Sequence, residues 1–228
     1  MRVIEFQSGG LDATSAFAGA VAAALRPRDS LFLSGDLGAG KTTFTRALVA
    51  ALGGDQRQVA SPTFVLVHEY ELAAQPRGIR TVVHVDPYRL TSRDDLDALG
   101  WDQLFEPDAG PARDGFAAVI EWPERLGTLL PAGGARIGFT HTGEESRVIR
   151  LEVPDTWEAR PEVAAMRSRP PRRCPVTGAW VLPTSPTYPF GSEKARMADL
   201  GRWFSGSYTI SRPLGPSDLD DLDAGEPG

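Results

Sequence analysis

At 228 residues with 41% hydrophobic content, the chain can bury the core of one medium domain, or of one domain with a small appendage. A formal net charge of −6 and a pI near 5.2 exclude gripping nucleic acid by bulk charge, so in any RNA pathway another subunit would hold the RNA. The single cysteine, Cys174, excludes an intrachain disulfide. No apolar run approaches the ~20 residues of a membrane span. Met1–Phe6 lacks a signal-peptide core, and the histidines at 68, 84 and 141 show no metal-ligand spacing, so a cytoplasmic protein without a membrane partner is expected.

In chain order, Arg2–Phe6 alternates polar and apolar residues like a strand. The Ala-rich stretch Asp12–Leu25 predicts a helix with Asp12 or Thr14 as its N-cap. Leu31-Phe32-Leu33 reads as a short buried strand. It leads into Gly35-Asp36-Leu37-Gly38-Ala39-Gly40-Lys41-Thr42, which matches the phosphate-loop pattern G-x-x-x-x-G-K-[ST]. A helix over Thr42–Leu52 follows, apolar at Phe44, Leu48 and Leu52. Phe64–Tyr70 and Arg80–Asp86 read as strands around a turn at Gln75-Pro76-Arg77-Gly78. Ser92–Leu99 predicts a short helix capped by Ser92 and ended by Gly100, before a Pro/Gly/Asp loop over Phe105–Gly115. Ala117–Glu121 is an apolar strand ending in a carboxylate. Ala135–His141 and Arg147–Val153 predict an antiparallel hairpin about Thr142-Gly143-Glu144-Glu145. The fold class expected is α/β, a P-loop NTPase three-layer sandwich with a mixed, mostly parallel sheet, plus a small C-terminal appendage.

Residues 1–153 form the expected ATPase domain. Residues 154–173, rich in proline and arginine with little core, read as a linker with at most one helical turn. Residues 174–212 form a small separate unit, and 213–228 an acidic tail of disordered composition.

The loop's chemistry is electrostatic. Gly35, Gly38 and Gly40 let the backbone turn sharply and approach a polyphosphate without an obstructing Cβ. Amides from Asp36 to Thr43 form an anion nest, and the helix beginning near Lys41 adds its positive end. Lys41 would reach the β- and γ-phosphates, and the Thr42 hydroxyl a Mg²⁺ bridging them. Asp86 and Glu121 each end an apolar strand, where a carboxylate can stand beside the loop and manage that metal. Taken singly, Asp86 reads more readily as a turn or capping aspartate, and Glu121 equally as a charge at a helix start. Trp122 offers a ring to the adenine base, or an ordinary core side chain. Thr63, in Ser61-Pro62-Thr63-Phe64, sits where a γ-phosphate switch could lie, or in a plain Ser-Pro turn.

Four stretches taken in order resemble the TsaE family, the ATPase component of bacterial tRNA threonylcarbamoyladenosine synthesis. They are Gly35 through Thr43, Ser61-Pro62-Thr63-Phe64, His84-Val85-Asp86-Pro87-Tyr88-Arg89-Leu90 and Glu121-Trp122-Pro123. The resemblance covers roughly residues 1–153. It implies ATP with Mg²⁺, weak hydrolysis by the chain alone, and docking on the TsaB–TsaD pair. That pair transfers threonylcarbamoyl to adenosine 37 of ANN-reading tRNAs, so tRNA is met only indirectly. In the family, hydrolysis supports repeated turnover. Carried over, the resemblance makes Lys41 the phosphate holder and Thr42 and Glu121 Mg²⁺ ligands. Asp86 assists catalysis near the metal, Trp122 lies at the base with Glu124 beside the nucleotide, and Thr63 belongs to a switch. Pro87 departs from the family's frequent leucine without removing the carboxylate before it.

A second resemblance starts at Cys174. Cys174-Pro175-Val176-Thr177-Gly178, Pro189 through Ala195, Asp199 through Trp203 and Gly206-Ser207-Tyr208 are similar to the small zinc-binding YacG family, whose members bind DNA gyrase. Three of that family's four cysteine positions are here Thr177, Gly191 and Ala195, so no zinc is expected. The unit's core would rest on Trp180, Tyr188, Phe190, Leu200, Trp203, Phe204 and Tyr208. A unit this small is marginal alone and should pack on the ATPase domain or move. Two other functions stay open. A small-molecule kinase would share the loop, though only Arg89 and Arg93 offer themselves for an arginine lid. A non-enzymatic protein could bind gyrase through the C-terminal unit, weakly supported.

Overall fold

The computed structural model describes residues 2–61, 67–89, 101, 105 and 115–204. The expected helix over Ser92–Leu99, the start of the strand expected from Phe64, Thr63, Tyr208 and the acidic tail lie outside these residues.

Seven strands form one sheet: β1 (Arg2–Ser8), β2 (Ser30–Ser34), β3 (Val67–Glu71), β4 (Thr81–Val85), β5 (Phe116–Glu121), β6 (Ala135–His141) and β7 (Arg147–Val153). Their order is β1-β7-β6-β2-β5-β4-β3. The central strands β6, β2, β5 and β4 run parallel, whereas β7 and β3 run against their neighbours, which makes the sheet mixed. β2 and β5 are near-continuous apolar runs because both their faces are covered. Side-chain alternation sends Leu31 and Leu33 to one face and Phe32 to the other.

The first face carries α1 (Leu11–Ala24) and α2 (Lys41–Ala51). The buried alanines of α1 let it approach the sheet closely. Its N-cap is Gly10 and not Asp12 or Thr14, and no side chain caps it. Thr14 instead pairs its hydroxyl with Ser8 Oγ at 2.7 Å, tying the helix to the end of β1. The second face is covered by Trp101, Phe105 and the turns over Pro123–Leu129, packed on Phe32, Val83, Val85 and Ile120.

The stretch expected as a linker with little core is packed structure. Trp157, Val163 and Met166 enter the main core, and α3 (Pro161–Ser168) lies against α1. Pro161 suits the first turn, where its missing N–H has no helical partner to lose. Arg160 grips Asp29 with both terminal nitrogens, at 2.5 and 2.9 Å, and stacks 4.2 Å over the Trp157 ring. Trp157 Nε1 donates to the same carboxylate at 3.1 Å.

The C-terminal unit is a short hairpin, β8 (Arg172–Arg173) with β9 (Trp180–Val181), followed by α4 (Glu193–Phe204). Its own core is Cys174, Val181 and Ala195, edged by Val176, Tyr188 and Phe190. Trp180 and Leu182, both half-buried, pack instead against the main core. Trp180 meets Phe6 edge-on at 6.4 Å, and Leu182 packs over Gly19 of α1. Leu200 and Trp203, expected inside, are exposed at 44% and 66%. The four zinc-pattern positions still converge: Cys174 and Ala195 share the small core, and a Cβ on Gly191 would lie 3.7 Å from Thr177 Oγ1. One thiol cannot form a tetrahedral zinc site. The Thr177 hydroxyl, then the amides of Thr177, Gly191 and Val176, hold the Cys174 thiol down to about 7.

Candidate nucleotide site

The loop after β2 is shaped by glycines. Gly38 and Gly40 have φ of 79° and 106°, a region that side-chain-bearing residues avoid. A Cβ on Gly35 would stand 2.8 Å from the Phe139 carbonyl oxygen of β6. Gly40 is the N-cap of α2, and no side chain caps the helix, so its first amides face the loop without a side-chain acceptor. Arg147, from β7, donates Nη1 to the Ala39 carbonyl at 3.2 Å and so braces the loop from the β6 side.

Sheet register brings the carboxylates in from the β5 side. His84 pairs with Val119 across the β4–β5 ladder, so His84 and Glu121 are diagonal neighbours on one face. Tyr70 pairs with Val82, which sets Tyr70 diagonally beside His84. This is the face that α2 covers. The result is a continuous polar chain. Thr42 Oγ1 donates to Glu121 Oε1 at 2.8 Å, His84 Nε2 lies 2.9 Å from the same oxygen, and Tyr70 OH lies 3.3 Å from His84 Nδ1. His84 and Glu121 are buried, and burial pushes the Tyr70 phenol up.

Lys41 is buried as well. Its Nζ donates to the carbonyls of Gly35 and Asp36 at 2.6 and 3.0 Å and lies 3.6 Å from the centre of the Trp122 ring. Desolvation lowers its pKa, opposed in decreasing order by the charges of Glu121, Asp86, Glu124 and Asp36. Trp122 has φ 52°, which turns the chain off β5 and lays the ring against the ammonium. The ring expected as a base platform thus lies against the Lys41 ammonium, at the β5 side of the loop. Tyr88 packs on Trp122 at 5.0 Å between centroids. Asp86, also buried, accepts from Ser61 Oγ and from the Tyr88 amide, each at 3.0 Å. It thus caps the turn after β4, as its type alone suggested, and lines the site too. Arg46 of α2 holds the Val59 carbonyl at 2.9 and 3.2 Å, which fixes the segment delivering Ser61.

A cavity of about 400 Å³ joins these parts. Leu37, Gly38, Gly40, Lys41, Thr42 and Thr43 line it from the loop, and Ser61, Asp86, Tyr88, Glu121 and Trp122 from the opposite side. Ala39 is buried beneath, and Asp36 and Glu124 are exposed at the margin. Ligands at about 2.05 Å on adjacent corners of an octahedron lie about 2.9 Å apart. The 2.8 Å between Thr42 Oγ1 and Glu121 Oε1 fits that edge. No three His, Cys, Asp or Glu side chains converge among the described residues. Sequence reasoning passed over His84, Tyr70 and Arg147. His84 opened one of the four family-like stretches but was given no role there, Arg147 carried only strand periodicity, and nothing in Tyr70 announced its partner.

The family model "Threonylcarbamoyl adenosine biosynthesis protein TsaE" matches residues 9–149. The chain belongs to the TsaE family. The tRNA threonylcarbamoyladenosine biosynthesis protein TsaE of Bacillus subtilis is 33% identical over 149 residues, covering 65% of this chain and 85% of its own length. The Haemophilus influenzae TsaE is 38% identical over 121 residues, covering 53% and 68%. A crystal structure of Bacillus subtilis YdiB superposes with a TM-score of 0.54 at 27% identity, covering 72% of this chain and 94% of that one. Beyond the TsaE-matched stretch, the model "DNA gyrase inhibitor YacG" matches residues 172–221. Among the described residues, no helix is long and apolar enough to cross a membrane.

Proposed function

We propose that this TsaE-family chain is an ATP-binding and ATP-hydrolysing accessory subunit for threonylcarbamoylation of adenosine 37 in ANN-reading tRNAs, working in the cytoplasm with a TsaB–TsaD pair. One observation carries the reading: Lys41 and Thr42 face Asp86 and Glu121 across a single cavity. Lys41 exchanges its loop carbonyls for β- and γ-phosphate oxygens, and the loop amides and the start of α2 hold the rest of the phosphate chain. Thr42 and Glu121 hold Mg²⁺, with Asp86 nearby. When bound, that ion offsets phosphate charge and polarises the terminal phosphoryl group. His84 fixes the Glu121 carboxylate from behind. Asp86, oriented by Ser61 and the Tyr88 amide, orders the attacking water. Thr63 remains the proposed switch. The nucleoside half leaves the loop on the far side from Trp122, past Arg147.

The test is ATP hydrolysis by the purified chain, alone and with TsaB, TsaD and tRNA. Weak basal turnover, stimulated by the complex and absent in Lys41→Ala, is expected. Phosphate appearing on a small acceptor would replace this reading with a kinase. The match of residues 172–221 supports a second, separate reading of the C-terminal unit as a gyrase-binding element. A supercoiling assay with the full chain tests it, and unchanged gyrase activity would remove it.

A further inference from the structure

A cleft of about 670 Å³ lies on the Arg147 flank of the phosphate loop, large enough for the nucleoside half of a nucleotide. The sheet order separates it from the 400 Å³ cavity: β7 brings Arg147 to one side of the loop after β2, and β5 brings Glu121 and Trp122 to the other. Gly9 and Gly10 form part of its floor, and at neither would a Cβ meet any atom within 4 Å, so the backbone there is open to close approach. Glu144, Glu145 and Arg147 make one wall. The other wall, Arg173 and Trp180, comes from β8 and β9 of the C-terminal unit, outside the stretch that the TsaE model matches.

The chemistry of these walls favours a particular half of a nucleotide. The carboxylates of Asp12, Glu144 and Glu145 repel a polyphosphate, but they accept from ribose hydroxyls and from an exocyclic amine. Trp180 contributes a large apolar body of the kind on which bases pack. Two donors on these walls, Arg147 Nε and Trp180 Nε1, are buried with no hydrogen-bond partner. Arg173 lies 5.1 Å over the Trp180 ring and 3.6 Å from Asp12, which ties the unit to the first turn of α1.

We propose that the C-terminal unit completes the nucleotide site of this chain, with Trp180 and Arg173 walling the nucleoside half. Nucleotide binding and docking of the unit on α1 then reinforce each other, because a ligand touching both stabilises the docked arrangement. The inference rests on the ATP reading above, and its test separates the two.

Affinities for ATP and for inorganic tripolyphosphate, each with Mg²⁺, are measured by titration calorimetry on the full chain and its variants. Trp180→Ala is expected to weaken ATP roughly tenfold or more, the scale of a lost aromatic–base contact, while tripolyphosphate binding stays within about twofold. Trp180→Phe should recover most of the loss. Arg173→Gln, at a half-exposed position that threatens no core, should weaken ATP in the same selective direction by a smaller factor. ATP, but not tripolyphosphate, should slow hydrogen exchange over residues 172–204. Equal losses for both ligands, or none for either, would overturn the inference and leave the ATP reading standing. A wild-type chain that binds neither ligand would overturn both.

Discussion

Glu121 illustrates how much of the site rests on a few contacts around one oxygen. Its Oε1 receives the Thr42 hydroxyl at 2.8 Å and faces His84 Nε2 at 2.9 Å, inside a buried environment. Orienting partners of a metal ligand typically matter by 10–100-fold. His84→Phe is therefore expected to raise the half-saturating Mg²⁺ for hydrolysis about tenfold while Mg²⁺-free nucleotide binding is unchanged. Equal loss of both would make His84 merely structural. The Thr177 hydroxyl and neighbouring amides hold the Cys174 thiol down to about 7, from an ordinary 9.0. As the only cysteine, its thiolate absorbance at 240 nm should be half-developed near pH 7. A depressed acid stabilises the fold above its unfolded pKa, and that stability is lost as pH falls through the folded value. The C-terminal unit should therefore gain stability from about pH 7 to 9, and Cys174→Ser should abolish that gain, as thermal unfolding across pH would report. Of these residues, Lys41 and Thr42 were legible because their chemistry follows from spacing within one loop. His84 was not, because its partner lies on another strand.

Elements show the same division. β2, β5 and the β6–β7 hairpin follow from apolar runs and a turn, and all were legible. The α1 cap was misread because Gly10 takes the position and Thr14 bonds sideways to Ser8. The region after β7 was misread because its proline and arginine content hides three buried apolar side chains spaced around one turn and one helix. Trp157 is 1% exposed, donates to Asp29 and lies under Arg160. Trp157→Ala should cost about 3–5 kcal/mol, as for other buried aromatics, read from urea unfolding of the full chain. A loss below about 1 kcal/mol, the scale of surface changes, would restore the linker reading for 154–173.

For the whole molecule, the C-terminal unit rests on contact with its host. Its own core is Cys174, Val181 and Ala195 with a few half-buried neighbours, too little to hold a fold of that size alone. Trp180 and Leu182 supply the remainder by packing against the main core. Elemental analysis of purified protein is accordingly expected to find less than about a tenth of a zinc per chain, since one thiol is far short of the four ligands a structural site needs. A full equivalent would mean that groups other than thiols complete a metal site around Cys174.

The sequence by itself determined the phosphate loop, the two-faced burial of the central strands and the acidic strand ends near the loop. Each of these depends on neighbours in the chain, where covalent geometry and side-chain periodicity act directly. The tertiary structure alone decided that Glu121 meets Thr42 and His84, that Trp122 lies on Lys41, and that Trp180 leaves its own unit to pack on Phe6. Those pairings join residues up to 174 positions apart. They exist because sheet register sets Glu121 beside His84, and because α2 and the C-terminal hairpin pack onto that sheet, and none of this is written in any local pattern.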